Sequence, residues 1–301
     1  MSFRQENYLN YKAIESLSGN SFLKSKSDVE IRDLFREIMA DGVFGFCFSL
    51  YEEGQKPSDV ITEEQIRRRL AILKPHTQWV RSFSCIEGNE HIPRVAKEMG
   101  MKTLVGAWLS SDAEKNREEI DALIALANDG LVDVAAVGNE VLYRKDLSEE
   151  ELLTYIAEVR EALPDIPVGY VDAYYEFVTR PAIADACDII LTNCYPYWEG
   201  TPIEYGYDHM RHMFDLAAQA GKGKPVMITE TGWPSQGEAL GGAVPTHANA
   251  LNYFINTQLW SAKADIPVFY FASFDEDWKK GAEGEVGAYW GIWDSKGNLK
   301  F

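Results

Sequence analysis

No stretch of the 301 residues approaches the roughly eighteen consecutive apolar side chains that a membrane-spanning helix needs, so a transmembrane role is excluded. Gly/Ser linkers, Pro-rich hinges and low-complexity tracts are absent as well. Basic residues are scarce: Lys plus Arg total 29 against 47 Asp plus Glu, a formal net charge of −18. Such a field repels phosphate backbones and anionic lipid, which argues against nucleic acid or a membrane surface as partner. A neutral ligand is indifferent to it, and its general effect is solubility. The four cysteines, Cys47, Cys85, Cys187 and Cys194, form no CxxC knuckle. Most lie in or beside apolar runs, where a free thiol behaves as a small hydrophobe. All four are read as reduced, with Cys194 the one placed to line a site. The opening "MSFRQENYLNYKAIESL" has no apolar signal core and no small-residue cleavage site. A cytoplasmic monomer is therefore expected, with secretion after loss of a signal as the alternative.

What is present is an alternation. Short runs rich in Val, Ile, Phe and Tyr begin at Gly42, Trp79, Thr103, Val132, Pro167, Asp188, Pro225 and Pro267. Between them lie amphipathic stretches with helix-start signals, such as "ITEEQIRRRLAIL" behind Thr62 and "SEEELLTYIAEVREAL" behind Ser148. Near-continuous apolar strands, each followed by a helix, call for a parallel sheet covered on its outer face. Eight such units predict a single (β/α)₈ TIM barrel over residues 42–301. The rival is an open doubly wound sheet, but no G-x-G-x-x-G follows the first run. No helix follows the eighth run, whereas "VEIRDLFREIMADG" precedes the first. Residues 1–41 are accordingly read as an N-terminal helical extension packing over the seam between strands eight and one. "WDSKGNLKF" reads as a small hairpin around Asp294 to Asn298.

Barrel active sites lie at the C-terminal strand ends. Strand four ends in Asn139 and Glu140, and strand seven in Glu230. Burying an unpaired carboxylate costs on the order of several kcal/mol, so a Glu closing an apolar strand is unusual. Two of them across one barrel mouth are what glycoside hydrolysis needs: one carboxyl protonated to donate, the other ionised to attack. Mutual repulsion and unequal burial would separate their pKa values. Tyr195, Tyr197 and Trp198 follow strand six, and Trp108, Trp233, Trp278 and Trp290 sit at strand ends or in the loops beyond. Flat rings pack on the C–H faces of sugars. Taken singly each ring is better read as core; the cluster points to a carbohydrate.

"AVGNEV", "NCYPYW", "ITETGWPS" and "FASFDEDWK", in that order, resemble glycoside hydrolase family 17, the β-1,3-glucanases and related transglycosylases, in a short microbial form. The resemblance runs from about Gly42 to the C-terminus. It implies a (β/α)₈ barrel, no cofactor, no metal, and retaining cleavage of β-1,3-linked glucose chains. Glu140 then matches the acid/base and Glu230 the nucleophile. Asn139 matches the residue that holds the 2-hydroxyl, Tyr195 the hydroxyl against the nucleophile, and Arg81 its cationic support. Glu276 and Lys279 match an acidic and basic pair lining the cleft, and Tyr197, Trp198 and Trp233 are the aromatic candidates for substrate binding. Glu283 and Glu285 compete for a further acidic position. Phe48 stands where many relatives carry a Tyr, and Tyr51 could supply that hydroxyl. Short loops after strands five and six imply a short groove.

Other candidates are weaker. His209 and His212 are three apart and could share a metal, but a solvated helix face is the better reading, as no third ligand is near. Ser235 lacks the G-x-S-x-G elbow. Hydrolysis is the expectation, with transfer of the same covalent intermediate to another glucan as the runner-up, and a non-catalytic glucan-binding barrel is the alternative from outside enzymology.

Overall fold

The computed structural model describes residues 23–301. Eight parallel strands, in sequence order, close into a barrel: β1 (Val43–Cys47), β2 (Thr77–Ser82), β3 (Lys102–Ala107), β4 (Val134–Asn139), β5 (Val168–Ala173), β6 (Ile190–Asn193), β7 (Val226–Thr231) and β8 (Val268–Tyr270). The ring closes where Gly45 and Phe46 pair with Phe269 and Tyr270. Strand β4 is buried throughout, because strands with the barrel interior on one side and helices on the other have no solvent face.

Helices follow the strands with their start signals in place. Thr62 caps α2 (Glu63–Leu73), Asp112 caps α4 (Ala113–Asn128), Ser148 forms a capping box on α6 (Glu149–Ala162), and Thr246 caps α10 (His247–Ala264). Each satisfies N–H groups that a first turn leaves without partners. α3 (His91–Glu98) and α9 (Ile203–Ala220) complete the outer layer, with the short α8 (Pro181–Ala186) between β5 and β6. Strand β8 is followed by a 3-10 turn, the single-turn α11 (Lys280–Glu283) and a second 3-10 turn, none long enough to cover a strand.

On the N-terminal side a helix packs against α10. α1 (Asp28–Asp41) opens with a Ser27–Glu30 capping box and buries Phe35 edge-on to Phe254 of α10 and to Phe301. His76 Nδ1 lies 2.8 Å from the Met39 carbonyl, tying the end of α1 to the start of β2. The part of the expected 1–41 extension that precedes Leu23 lies outside the described residues. At the C-terminus, the expected hairpin is a single antiparallel bridge, Trp293 with Leu299, turned by the Asp294 carboxylate. Among the described residues no helix is long and apolar enough to cross a membrane.

Candidate active site

The end of β4 departs from strand geometry in two steps. Gly138 has φ +87°, where a Cβ would stand 2.8 Å from Val141 Cγ2, and the β4–β5 register shifts between Ala136 and Asn139. Glu140 follows at φ +52°, left-handed for a residue with a side chain, and opens the one-turn helix α5 (Val141–Arg144). Its side chain makes no capping bond to that helix. The carboxylate is turned into the barrel mouth instead, where Asn193 Nδ2 donates to Oε1 at 3.0 Å. Asn193 is itself oriented, since Thr229 Oγ1 donates to its Oδ1 at 2.9 Å. Burial, then the Glu230 charge, then the Asp172 charge push the Glu140 carboxyl up to about 8.

Glu230 on β7 has the opposite surroundings. Arg81 Nη1 donates to its Oε1 at 2.6 Å and Tyr195 OH to its Oε2 at 2.8 Å, so both oxygens have donors and one donor is a cation. Arg81, 1 % exposed, also donates to the Thr229 carbonyl (2.9 Å) and to Asn139 Oδ1 (2.6 Å). One planar fork thus joins β2, β4 and β7 and fixes the nucleophile-like carboxylate against the Asn139 amide. Gly232, just beyond, packs its Cα against the Phe271 carbonyl with no room for a side chain.

Glu140 and Glu230 line one cavity with Glu283, Glu199, Asn193, Tyr143, Tyr174, Tyr175, Tyr195, Trp198 and Phe271. Lys279 lies behind it, 2.7 Å from Glu276 Oε2 and 4.3 Å from the centre of the Phe271 ring. Of the two competing acids, Glu283 is in the cavity, held by Trp290 Nε1 at 2.9 Å and pushed up to about 7 by burial. Glu285 is exposed.

Several expectations are corrected. Tyr197 and Trp233 are buried and do not line the cavity: the Tyr197 hydroxyl donates to the Glu238 carbonyl and Trp233 Nε1 to that of Val244. Their rings pack on each other and, through Tyr197, on Trp198 and Trp290. The "YPYW" aromatics therefore divide, with Tyr195 and Trp198 at the surface of the cavity and Tyr197 underneath. Arg81, Asn139, Glu276 and Lys279 stand behind the lining side chains rather than among them. Tyr51 is packed on Trp278 and does not line the cavity, so it does not replace the hydroxyl missing at Phe48. Cys194 is buried and does not line the cavity; Cys47, also buried, lies 3.7 Å from Arg81 Nη1. His209 is no solvated face: it is fully buried, with Nδ1 2.7 Å from Thr201 Oγ1 and Nε2 3.2 Å from Glu199 Oε2.

Glu199, Tyr174, Tyr175, Tyr143 and Asn193 line the cavity without a sequence motif that marks them. Asn193 closes β6 and so carries the same strand-end signal as Glu140, whereas Glu199 lies six residues beyond it. Among the described residues no cluster of three or more His, Cys, Asp or Glu is arranged to hold a metal ion.

Residues 45–291 match the BtgE/BtgC glycoside hydrolase domain. Glucan 1,3-beta-glucosidases of Candida albicans and Schizosaccharomyces pombe are each 28% identical, over 88% of this chain and 93% of the first, and 97% of this chain and 95% of the second. The solved glycoside hydrolase family 17 beta-1,3-glucanosyltransferase of Rhizomucor miehei superposes with a TM-score of 0.78 at 29% identity, covering 87% of this chain and 96% of that one. The chain belongs to the BtgE/BtgC glycoside hydrolase domain family, within glycoside hydrolase family 17.

Proposed function

We propose that the protein cleaves β-1,3-glucosidic bonds of β-glucans or laminari-oligosaccharides with retention, Glu230 acting as nucleophile and Glu140 as acid/base. One observation carries this reading: two carboxylates share a cavity, one held by a guanidinium and a phenol hydroxyl, the other pushed by burial toward its protonated form. Glu230, held by Arg81 and Tyr195, attacks the anomeric carbon. Glu140 gives its proton to the departing glycosidic oxygen, so the C–O bond breaks as the glucosyl–Glu230 ester forms. Glu140, now ionised, takes a proton from the acceptor hydroxyl as that oxygen displaces Glu230 and restores the enzyme. Tyr174, Tyr175 and Trp198 offer faces for pyranose rings.

The relatives named glucan 1,3-beta-glucosidase support the bond, and the similarity to a β-1,3-glucanosyltransferase supports a second reading in which the acceptor is another glucan. Incubation with laminari-oligosaccharides separates the two. Only shorter products with a net gain of reducing ends mean hydrolysis, products longer than the substrate mean transfer, and an unchanged mixture overturns both. NMR of the first product is expected to show the β-anomer; an initial α-anomer would rule out retention.

A further inference from the structure

We propose that Asp172, acting with Tyr170, is a positioning residue for Glu140: the pair caps helix α5 in place of the Glu140 side chain and so holds the acid/base in its left-handed turn. This rests on Glu140 being the acid/base. An N-cap side chain normally accepts from the second or third N–H of its helix. Glu140 is the N-cap of α5 and does neither. Those two N–H groups belong to Leu142 and Tyr143. Leu142 N donates to the Tyr170 hydroxyl at 2.9 Å and Tyr143 N to Asp172 Oδ2 at 3.3 Å. Tyr170 OH in turn donates to the same Asp172 oxygen, and Ala173 N donates to Oδ1 at 2.8 Å. Both residues sit on β5, whose Val171 carbonyl accepts from Glu140 N at 2.8 Å. Strand β5 therefore grips the turn on both sides of the Glu140 Cα, and the carboxylate is released to face the cavity.

Asp172 is fully buried and does not line the cavity, so substrate contact does not explain it. An isolated buried carboxylate is costly and is kept only where its hydrogen bonds are made. Its charge has a second effect. Glu140 is faced by Glu230 from β7, Asp172 from β5, Asn193 from β6 and Arg144 from α5; both acids favour its protonated form, and the last two oppose it. Asp172 is faced by Tyr170 and by Glu176 of α7 (Tyr174–Thr179), which is paired with Arg180. At the pH where Glu140 gives up its proton, an ionised Asp172 keeps that proton on longer.

The test compares kcat/KM against pH for the wild-type enzyme, Asp172→Asn, Tyr170→Phe and Glu140→Gln. Two substrates are used: a laminari-oligosaccharide, and a dinitrophenyl β-glycoside whose leaving group needs no proton. In Asp172→Asn the basic limb on the oligosaccharide is expected to fall by about one pH unit, equivalent to about tenfold activity on that limb. Activity on the dinitrophenyl substrate should stay within about twofold, because only proton donation is affected. Tyr170→Phe, which keeps the charge but removes the hydroxyl, should show the same substrate-selective loss and guards against a misfolded Asn variant. A limb that does not move, or equal loss on both substrates, overturns the proposal. Glu140→Gln keeps the two readings apart. If it retains the basic limb, the acid/base assignment fails; if it abolishes the limb while Asp172→Asn leaves it in place, only the role of Asp172 fails.

Discussion

Glu140 and Glu230 are the same side chain in two environments, and their substitutions should fail differently. Glu230→Gln removes the attacking charge and is expected to abolish turnover on every glycoside. Glu140→Gln keeps shape and loses the proton, so an oligosaccharide should lose about a hundred- to ten-thousand-fold in kcat/KM while an activated aryl glycoside is largely spared; equal losses would reassign the role. In the wild-type enzyme the basic limb should lie near the value of about 8 to which burial and the Glu230 charge push Glu140. Activity falls as pH rises through it, because the donating form is the protonated one. What the sequence showed at this scale was any chemistry carried by a strand end in an unusual residue type: Glu140, Glu230, Arg81. It could not divide side chains by depth. Tyr197 and Trp198 are neighbours in one motif, yet one is beneath the cavity and the other lines it. Asp172 ends the fifth apolar run as Glu140 ends the fourth and was open to the same rule, but its partner Tyr170 comes from strand register, which spacing does not reveal.

The elements were legible because their signals are local. Ser148, Thr62 and Thr246 announce helix starts in three or four residues, and the helices begin there. His209 shows the limit: the surroundings of its helix face depend on Thr201 and Glu199, which fold back onto it from the preceding loop. The tertiary prediction that belongs to this scale concerns α1. Phe35, fully buried between Phe254 and Phe301, anchors it. Phe35→Ala should lower stability by about 3–5 kcal/mol, read from chemical denaturation. A loss below about 1 kcal/mol, the size of an ordinary surface change, would mean that α1 is not needed to cover the barrel.

For the whole molecule the acids set a pH dependence of unusual sign. Glu119, Asp172 and Glu283 are pushed up to about 7, and Glu140 to about 8, burial being the first cause in each case. Their folded values lie above the ordinary carboxylate range, so between about pH 4 and about pH 8 these four groups bind more protons in the folded chain than in the unfolded one. Stability is then full at the acidic end and falls as pH rises through the folded values. The net charge of −18 works in the same direction through self-repulsion. Thermal unfolding should show a higher Tm near pH 5 than near pH 8; the reverse order would contradict the burial of these groups.

Arg81, Asn139 and Asn193 come from β2, β4 and β6, are all buried, and bond to one another or to Glu230 and Glu140. Together with the two reacting carboxylates they make a polar tier on top of the packed core, and catalysis and folding compete for the same volume. Removing one partner of the Arg81–Glu230 pair, as in Arg81→Met, should destabilise the chain by about 3–5 kcal/mol, whereas Arg81→Met together with Glu230→Leu should recover most of that loss. Calorimetry of the two variants decides it: if the double variant melts no higher than the single one, the tier is not a core layer in the energetic sense. If it recovers, an inactive barrel would be as stable as the working one, and only selection for the reaction would keep charge in that tier.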